Sequence, residues 1–238
     1  MRSVNLRSKA IAQFGQVTLA DRERSEWWYD EVYRQCTNAN RITVVEVGVA
    51  LGGSLAIAGC AMTDAASSSD KFNMTSAELI GFDKFDAPYE HTAEDESGSD
   101  FERRLNSETN LMLRQQVPIE SSHIWYQSAL STIRSSGFQG CLTLVEGDAS
   151  NTIPALVQDR EQNLQIAVLR ISCNWYRPVL TAMQHLVPLV QNGGSVLLDG
   201  YFFWSGFSQA VHDTLGTTVA SQGLRLGDCL VLPIRRGQ

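Results

Sequence analysis

The chain has no excess of positive charge, no paired-cysteine motif, no apolar run of membrane-spanning length and no segment that would divide it into domains. Each absence closes a class of function. Lys and Arg number 19 against 26 Asp and Glu, for a net charge of -7, and basic residues form no run longer than a pair. A nucleic-acid surface needs the opposite balance. The five cysteines, Cys36, Cys60, Cys141, Cys173 and Cys229, are odd in number and lack CxxC or Cys/His ligand spacing, so they read as reduced thiols, mostly buried. No stretch approaches the roughly 20 apolar residues that cross a bilayer. The first residues, MRSVNLRSKAIAQFG, lack the apolar core of a secretory signal, which makes a cytoplasmic location the expectation. With no Pro/Gly/Ser-rich linker, internal repeat or low-complexity tract, the 238 residues are expected to form one domain, 1–238, around a continuous core. The remaining partner class is a small molecule, without nucleic acid or membrane. Self-association into a homo-oligomer is left open.

The most informative stretch is Thr43 to Ser54, TVVEVGVALGGS. Ile42, Val44, Val45 and Val47 are β-branched, as suits a strand buried on both faces, and Gly48, Gly52 and Gly53 supply a sharp exit. SLAIAGCAMTDAA then has helical composition, opening with Ser54. Strand, glycine turn and helix make the nucleotide-binding corner of a doubly wound sheet, although the spacing is GxxxGG and not the dinucleotide GxGxxG. Glu46 lies inside the strand, where burial is costly without a partner. It either receives a ligand hydroxyl or amine, or pairs with a lysine or arginine.

The remaining chain alternates strands and helices. A covering helix runs from Ala20, completing an N-terminal helical cover over residues 1–40. A second strand, ELIGFDKF from Glu78, ends near Asp83; a third, CLTLVEGD, closes on Gly147 and Asp148. Gln165 to Ile171 is the fourth, Val179 to Val190 a helix, and Gly194 to Asp199 the fifth strand. Helical sequence also starts around Phe101 and spans Ser121 to Ser135. LRLGDCLVLPIRR reads as a closing strand antiparallel to its neighbours. The polar stretch DAPYEHTAEDESGSD does not suit a packed core and is expected to be a mobile loop, within a lid or substrate-loop region over 84–120. The fold class is therefore α/β, a doubly wound, mostly parallel sheet with an antiparallel closing strand.

Glu46, Asp83, Asp148 and Asp199 all fall at or near C-terminal strand ends, the edge that lines the ligand crevice of such sheets. An acid after the second strand can accept from both hydroxyls of a ribose, and one after the third can hold an adenine amino group. Taken singly, each can equally be a helix cap.

The order of motifs resembles the TylF/macrocin O-methyltransferases, which methylate sugar hydroxyls with S-adenosylmethionine and usually magnesium. The resemblance runs through TLADRERSEWWYDEVY, VEVGVALGGS, GFDKFDAP and GDASNTIPAL to LVPLVQNGGSVLLDGYFFWSGFSQAVHDTL. It implies a Rossmann-like methyltransferase fold in which Glu46, Gly48 and Ser54 contact the methionine portion or shape its turn, Asp83 binds ribose, and Asp148 with Ala149 borders adenine. Where metal-dependent members read LRLDGDLY and IDDY, this chain reads LRISCNWY and LDGY. Ser172, Asn174 and Gly200 thus replace three acids and Asp199 alone survives, so the magnesium site is expected to be vestigial. Asn174 stands where the family's base would be and cannot take its proton. The candidate catalytic residues are Asn174, His91 from the 84–120 region, and Tyr201 among the aromatics Trp175, Tyr176, Phe202, Phe203 and Trp204; His212, His123 and His185 are weaker candidate bases. The expected function is S-adenosylmethionine-dependent methyl transfer to an oxygen of a small-molecule secondary metabolite. The alternatives are a non-methylating cyclisation or rearrangement on the same fold, and a non-catalytic ligand-binding protein.

Overall fold

In a computed structural model, the β-branched run Ile42–Val47 forms strand β1 with all six residues buried. The structure describes residues 2–18, 20–68, 71–85, 93–96, 122–160 and 163–236. Six further strands are β2 (Ala77–Asp83), β3 (Cys141–Glu146), β4 (Ile166–Ile171), β5 (Val190–Leu198), β6 (Leu224–Leu226) and β7 (Cys229–Pro233). They lie in the order β3-β2-β1-β4-β5-β7-β6. The first five are parallel, and β7 and β6 close the sheet antiparallel. Strand order reverses between β1 and β4, the topological switch point at which open sheets of this kind bind their ligands.

The described helices are α1 (Arg2–Phe14), α2 (Arg22–Asn38), α3 (Gly53–Ser68), the single turn α4 (Ala93–Glu96), α5 (Ser122–Arg134), α6 (Ala149–Arg160), α7 (Tyr176–His185) and α8 (Ser205–Leu215). Alternation along β1 distributes the core: Val44 joins Phe14, Trp28, Leu55 and Ile133 on one face, and Val45 and Val47 join Ile153, Val179, Met183 and Phe207 on the other. The N-terminal cover rests on the glycine turn. A Cβ added to Gly53 would meet the Val17 carbonyl oxygen at 2.6 Å.

Several boundaries differ from expectation. The helix placed at Val179 to Val190 starts at Tyr176 and ends at His185, because Pro188, lacking an N–H, sits in the short 3-10 turn Val187–Leu189. β5 then starts at Val190, before Gly194. The closing segment makes two strands, folded at Gly227 and Asp228 so that Leu226 pairs with Cys229. The helical expectation around Phe101 and most of the 84–120 region lie outside the described residues. Its described part corrects one expectation: α4 packs against the body of the protein, and Asp95 is 8% exposed.

Gly48 shows why the first turn needs glycine. Its φ is +94°, and an added Cβ would lie 2.8 Å from the Ser172 carbonyl carbon and 2.9 Å from the Cys173 nitrogen. Both neighbours are backbone and cannot swing aside. Gly48→Ala should therefore destabilise the fold by roughly 1–3 kcal/mol, read as a lowered urea midpoint with an unchanged slope.

Candidate functional site

Strand register brings the site together before any side chain is considered. Glu46 on β1 is the register partner of Arg170 on β4, and Arg170 is the partner of Leu197 on β5. Asp199, two residues beyond Leu197, faces the same side. Arg170 bridges all three strands: Nη1 donates to Glu46 Oε1 at 2.9 Å, Nε donates to Asp199 Oδ2 at 3.1 Å, and Nη2 donates to that same oxygen. The other Asp199 oxygen accepts from Arg24 Nη1 of α2 at 2.7 Å and from the Cys229 thiol at 3.0 Å. Arg24 also reaches Asp228 Oδ1 at 3.2 Å. Below this network Trp28 places its ring 5.9 Å from the Arg170 guanidinium carbon and donates Nε1–H to the Ser54 carbonyl.

The two carboxylates fare differently. Burial alone would push Asp199 up, but Arg170 and Arg24 beside it hold it at about 2. At Glu46 burial prevails over the single Arg170 contact and the Ser54 hydrogen bond, and the carboxyl is pushed up to about 7. Ser54 Oγ donates to Oε1 at 2.5 Å, so both polar contacts fall on one oxygen. Glu46 Oε2 is buried and has no hydrogen-bond partner among the described residues. Of the two alternatives posed by the sequence, the structure shows the pairing with an arginine, through one oxygen, and leaves the other oxygen buried without a partner among the described residues.

Asp83 ties the first two strand exits together. Its Oδ2 accepts the Ala50 N–H and its Oδ1 the Phe85 N–H, both at 2.8 Å. Ala50 and Phe85 have φ of 49° and 51°, unusual for non-glycine residues, and the shared carboxylate holds both turns in shape. Burial pushes Asp83 above its ordinary range, against these N–H donors. Asp148 acts as a helix cap: Oδ1 accepts the Ser150 N–H at 2.8 Å, and its carbonyl accepts from Asn151 and Thr152. Ala149 is buried at the start of α6. Burial, with Asp83, Asp148 and Asp95 nearby, pushes the Cys173 thiol up, which places these three acids around the exit of β4.

On the other side of the crevice, the three replaced positions are filled differently. The Ser172 hydroxyl turns back to the Gly48 carbonyl at 2.8 Å. At Gly200, φ is +105° and an added Cβ would strike Trp204 Cδ1 at 2.7 Å, so the indole occupies the room a side chain would need. Asn174 is partly buried, one residue before Trp175, which precedes α7. Tyr201 is buried, and its hydroxyl lies 2.7 Å from His212 Nε2 on α8. Burial pushes the Tyr201 phenol up. Asp199, Asp228 and Cys229 have ligand-type atoms within 4.8 Å of one another, yet Arg24 Nη1 contacts all three. His91 lies outside the described residues, as does the side chain of His123; His185 ends α7, and only His212 joins a candidate residue.

Three participants were missed by sequence reasoning. Arg170 leaves a trace, since it is the one charge in the strand IAVLRI. Arg24 leaves none, being one charge among several in DRERSE. Asp95 is masked by the polar stretch around it, though its Oδ1 accepts the Tyr176 N–H at 2.8 Å and lies where a Cβ on Gly206 would fall, only 2.0 Å away.

Comparison with known proteins bears on the fold that carries these residues. Residues 139–219, from the approach to β3 through α8, match the family model described as Macrocin-O-methyltransferase (TylF). No curated protein matches the chain. Among solved structures it is similar to the O-methyltransferase NovP, at 17% identity and TM-score 0.71, covering 98% of this chain and 99% of that one. It is also similar to CalS11, a calicheamicin methyltransferase, at 18% identity and TM-score 0.64, covering 100% and 93%. A third is TomG of Streptomyces achromogenes, involved in tomaymycin synthesis and solved with S-adenosylmethionine, at 12% identity and TM-score 0.53, covering 96% and 89%. At these identities the likeness is one of fold.

Arg170→Met should cost about 3–5 kcal/mol of stability, because it leaves Asp199 and Glu46 buried without their shared cation. Asp199 also sets an acid limb. Its carboxyl sits at about 2 in the fold against 3.8 when unperturbed, so its contribution is present above pH 4 and lost as pH falls towards 2. That contribution is on the order of 2 kcal/mol, and acid-unfolding curves of Asp199→Asn should lack it.

Proposed function

We propose that this chain is an S-adenosylmethionine-dependent O-methyltransferase acting on a small-molecule acceptor, of the kind found in natural product pathways. The family-model match over 139–219 and the folds of NovP, CalS11 and TomG support a TylF-like methyltransferase family. The single observation that carries the reading is Glu46 Oε2, a buried, unpartnered carboxylate oxygen beside a glycine turn at the switch point of the sheet. An ammonium group is the donor it lacks.

The residues present fit the cofactor. Glu46 and the Gly48 turn, with Ser54 as support, would take the amino-acid end. Asp83, at the exit of β2 with its carboxylate among the backbone N–H groups of the two turns, would take the ribose hydroxyls. Asp148 and Ala149 would border the adenine. When bound, S-adenosylmethionine supplies an electrophilic methyl group on a sulfonium centre. The protein's part is to fix the acceptor oxygen in line and exclude water.

A magnesium ion does not fit the donor set. One candidate carboxylate remains, Asp199, and both its oxygens are taken by guanidinium groups, while Ser172 faces the Gly48 carbonyl. We assign Asp199 to the ion-pair network, not to a metal. Asn174 would orient the acceptor oxygen, and Tyr201, whose hydroxyl lies 2.7 Å from His212 Nε2, would relay a proton to it. His91 is the competing base, supplied by the 84–120 region.

Calorimetry tests each element. S-adenosylmethionine and S-adenosylhomocysteine should both bind, and Asp83→Ala or Asp148→Ala should weaken them by about 1–3 kcal/mol. Absence of binding by either compound sinks the reading, and micromolar magnesium affinity would restore a metal-dependent one. With an acceptor in hand, His91→Ala should lower turnover at unchanged cofactor affinity if His91 is the base, and Tyr201→Phe should do so if the relay is. The replacement of three acceptor-side acids favours a second reading, a cyclisation or rearrangement on the same fold. A product of unchanged mass would establish it.

A further inference from the structure

The carboxylates around Glu46 outnumber the guanidinium groups that serve them. Arg24 is shared among Asp199, Asp228 and Asp21, whose Oδ2 lies 3.1 Å from Arg24 Nε. Arg170 is shared between Asp199 and Glu46. Two cations thus face four acids. The groups facing Glu46 are Arg170 from β4, Asp199 from β5, Asp83 from β2 and the Ser54 hydroxyl from α3, with Trp28 of α2 against the far side of Arg170. Asp199 and Asp83 oppose ionisation of Glu46, and Arg170 favours it but commits two of its three nitrogens to Asp199. The orphan oxygen is Oε2, the one remote from both Arg170 and Ser54 contacts. A cation is missing from the cluster on the ligand side.

Resting on the cofactor reading above, we propose that Glu46 is protonated in the free protein at mildly acidic to neutral pH and gives up that proton when the ligand's ammonium binds, so that cofactor binding is coupled to proton release. The ammonium becomes the third cation of the cluster. It donates to Oε2, replaces the proton as the compensating charge and leaves Oε1 to Arg170 and Ser54. The carboxyl's rise to about 7 follows from burial, with Asp199 and Asp83 adding to it, and sets where the coupling operates. Below pH 7 the acid binds a proton that the complex does not, so affinity falls as pH falls. As pH rises beyond 7 Glu46 is increasingly ionised beforehand and the release dwindles.

The test is calorimetric titration of the full chain with S-adenosylhomocysteine at pH 6.0 and 7.5, each in phosphate and in imidazole, buffers of unlike ionisation enthalpy. The expected result is a buffer-dependent enthalpy at pH 6.0 corresponding to release approaching one proton per site, shrinking at pH 7.5, with affinity about five- to tenfold weaker at pH 6.0. 5′-Methylthioadenosine, which keeps the nucleoside and lacks the amino-acid end, should bind without releasing a proton. Glu46→Gln should bind S-adenosylhomocysteine weakly and with no proton release, while its affinity for 5′-methylthioadenosine stays unchanged. Equal enthalpies in the two buffers at pH 6.0, or the same release with 5′-methylthioadenosine, would overturn the coupling while leaving the cofactor site standing. No binding of S-adenosylhomocysteine at either pH overturns the site and the coupling together. Should Glu46→Gln fail to fold, the two-buffer comparison on the unaltered chain decides alone.

Discussion

Arg170 serves two carboxylates on two neighbouring strands, and the open edge of the sheet is organised by how unequally it divides its donors. Two of its nitrogens grip Asp199 and one reaches Glu46. In an interior of low dielectric, a guanidinium without partners would be prohibitive, and so would either acid without the guanidinium. β1, β4 and β5 are therefore locked in register by the same contacts that set the charge of the crevice. Mutual dependence of this kind permits no piecemeal change. Any residue replacing Arg170 must answer to both acids.

The inequality separates the two halves of the site. Asp199 receives Arg170 and Arg24 and remains a fixed anion across ordinary pH. Glu46 receives the remainder, and its second oxygen is buried without a hydrogen-bond partner among the described residues. One carboxylate is thus fully engaged in the scaffold and the other only on one of its oxygens. The strand-end acids shape local backbone: Asp83 holds the turns after β1 and β2 with both its oxygens, and Asp148 caps α6 with one.

What the sequence made legible was whatever depends on near neighbours. β-Branched runs mark β1 and β4, glycine marks the exit at Gly48, and acids mark the strand ends at Asp83 and Asp148. The Arg170 network was hidden because its members lie far apart in the chain and meet only through register: Arg170 is 124 residues from Glu46 and 29 from Asp199. Asp95 was hidden for a different reason. A stretch rich in acids reads as solvated, yet a single carboxylate can be buried where a helix N-terminus supplies a donor, as Tyr176 does, and where glycine leaves room, as Gly206 does. Pro188 shows the limit of periodicity, since the apolar pattern continues through a residue that the helix cannot accommodate.

Ser172, Asn174 and Gly200, where the family resemblance leads one to expect acids, look at first like simple losses. Packing around them argues otherwise. Gly200 adopts a backbone conformation that favours glycine, and Trp204 fills the adjoining space, so restoring a carboxylate there would require moving an indole as well as straining the turn. Ser172 is engaged with the β1 exit, and its hydroxyl holds the strand pair that carries the glycine turn. Arg24 lies against Asp199, Asp228 and Cys229, where a positive charge tethered to α2 needs neither dehydration nor capture from solution. Here an indole fills the space beside Gly200 and a guanidinium tethered to α2 supplies the positive charge beside Asp199.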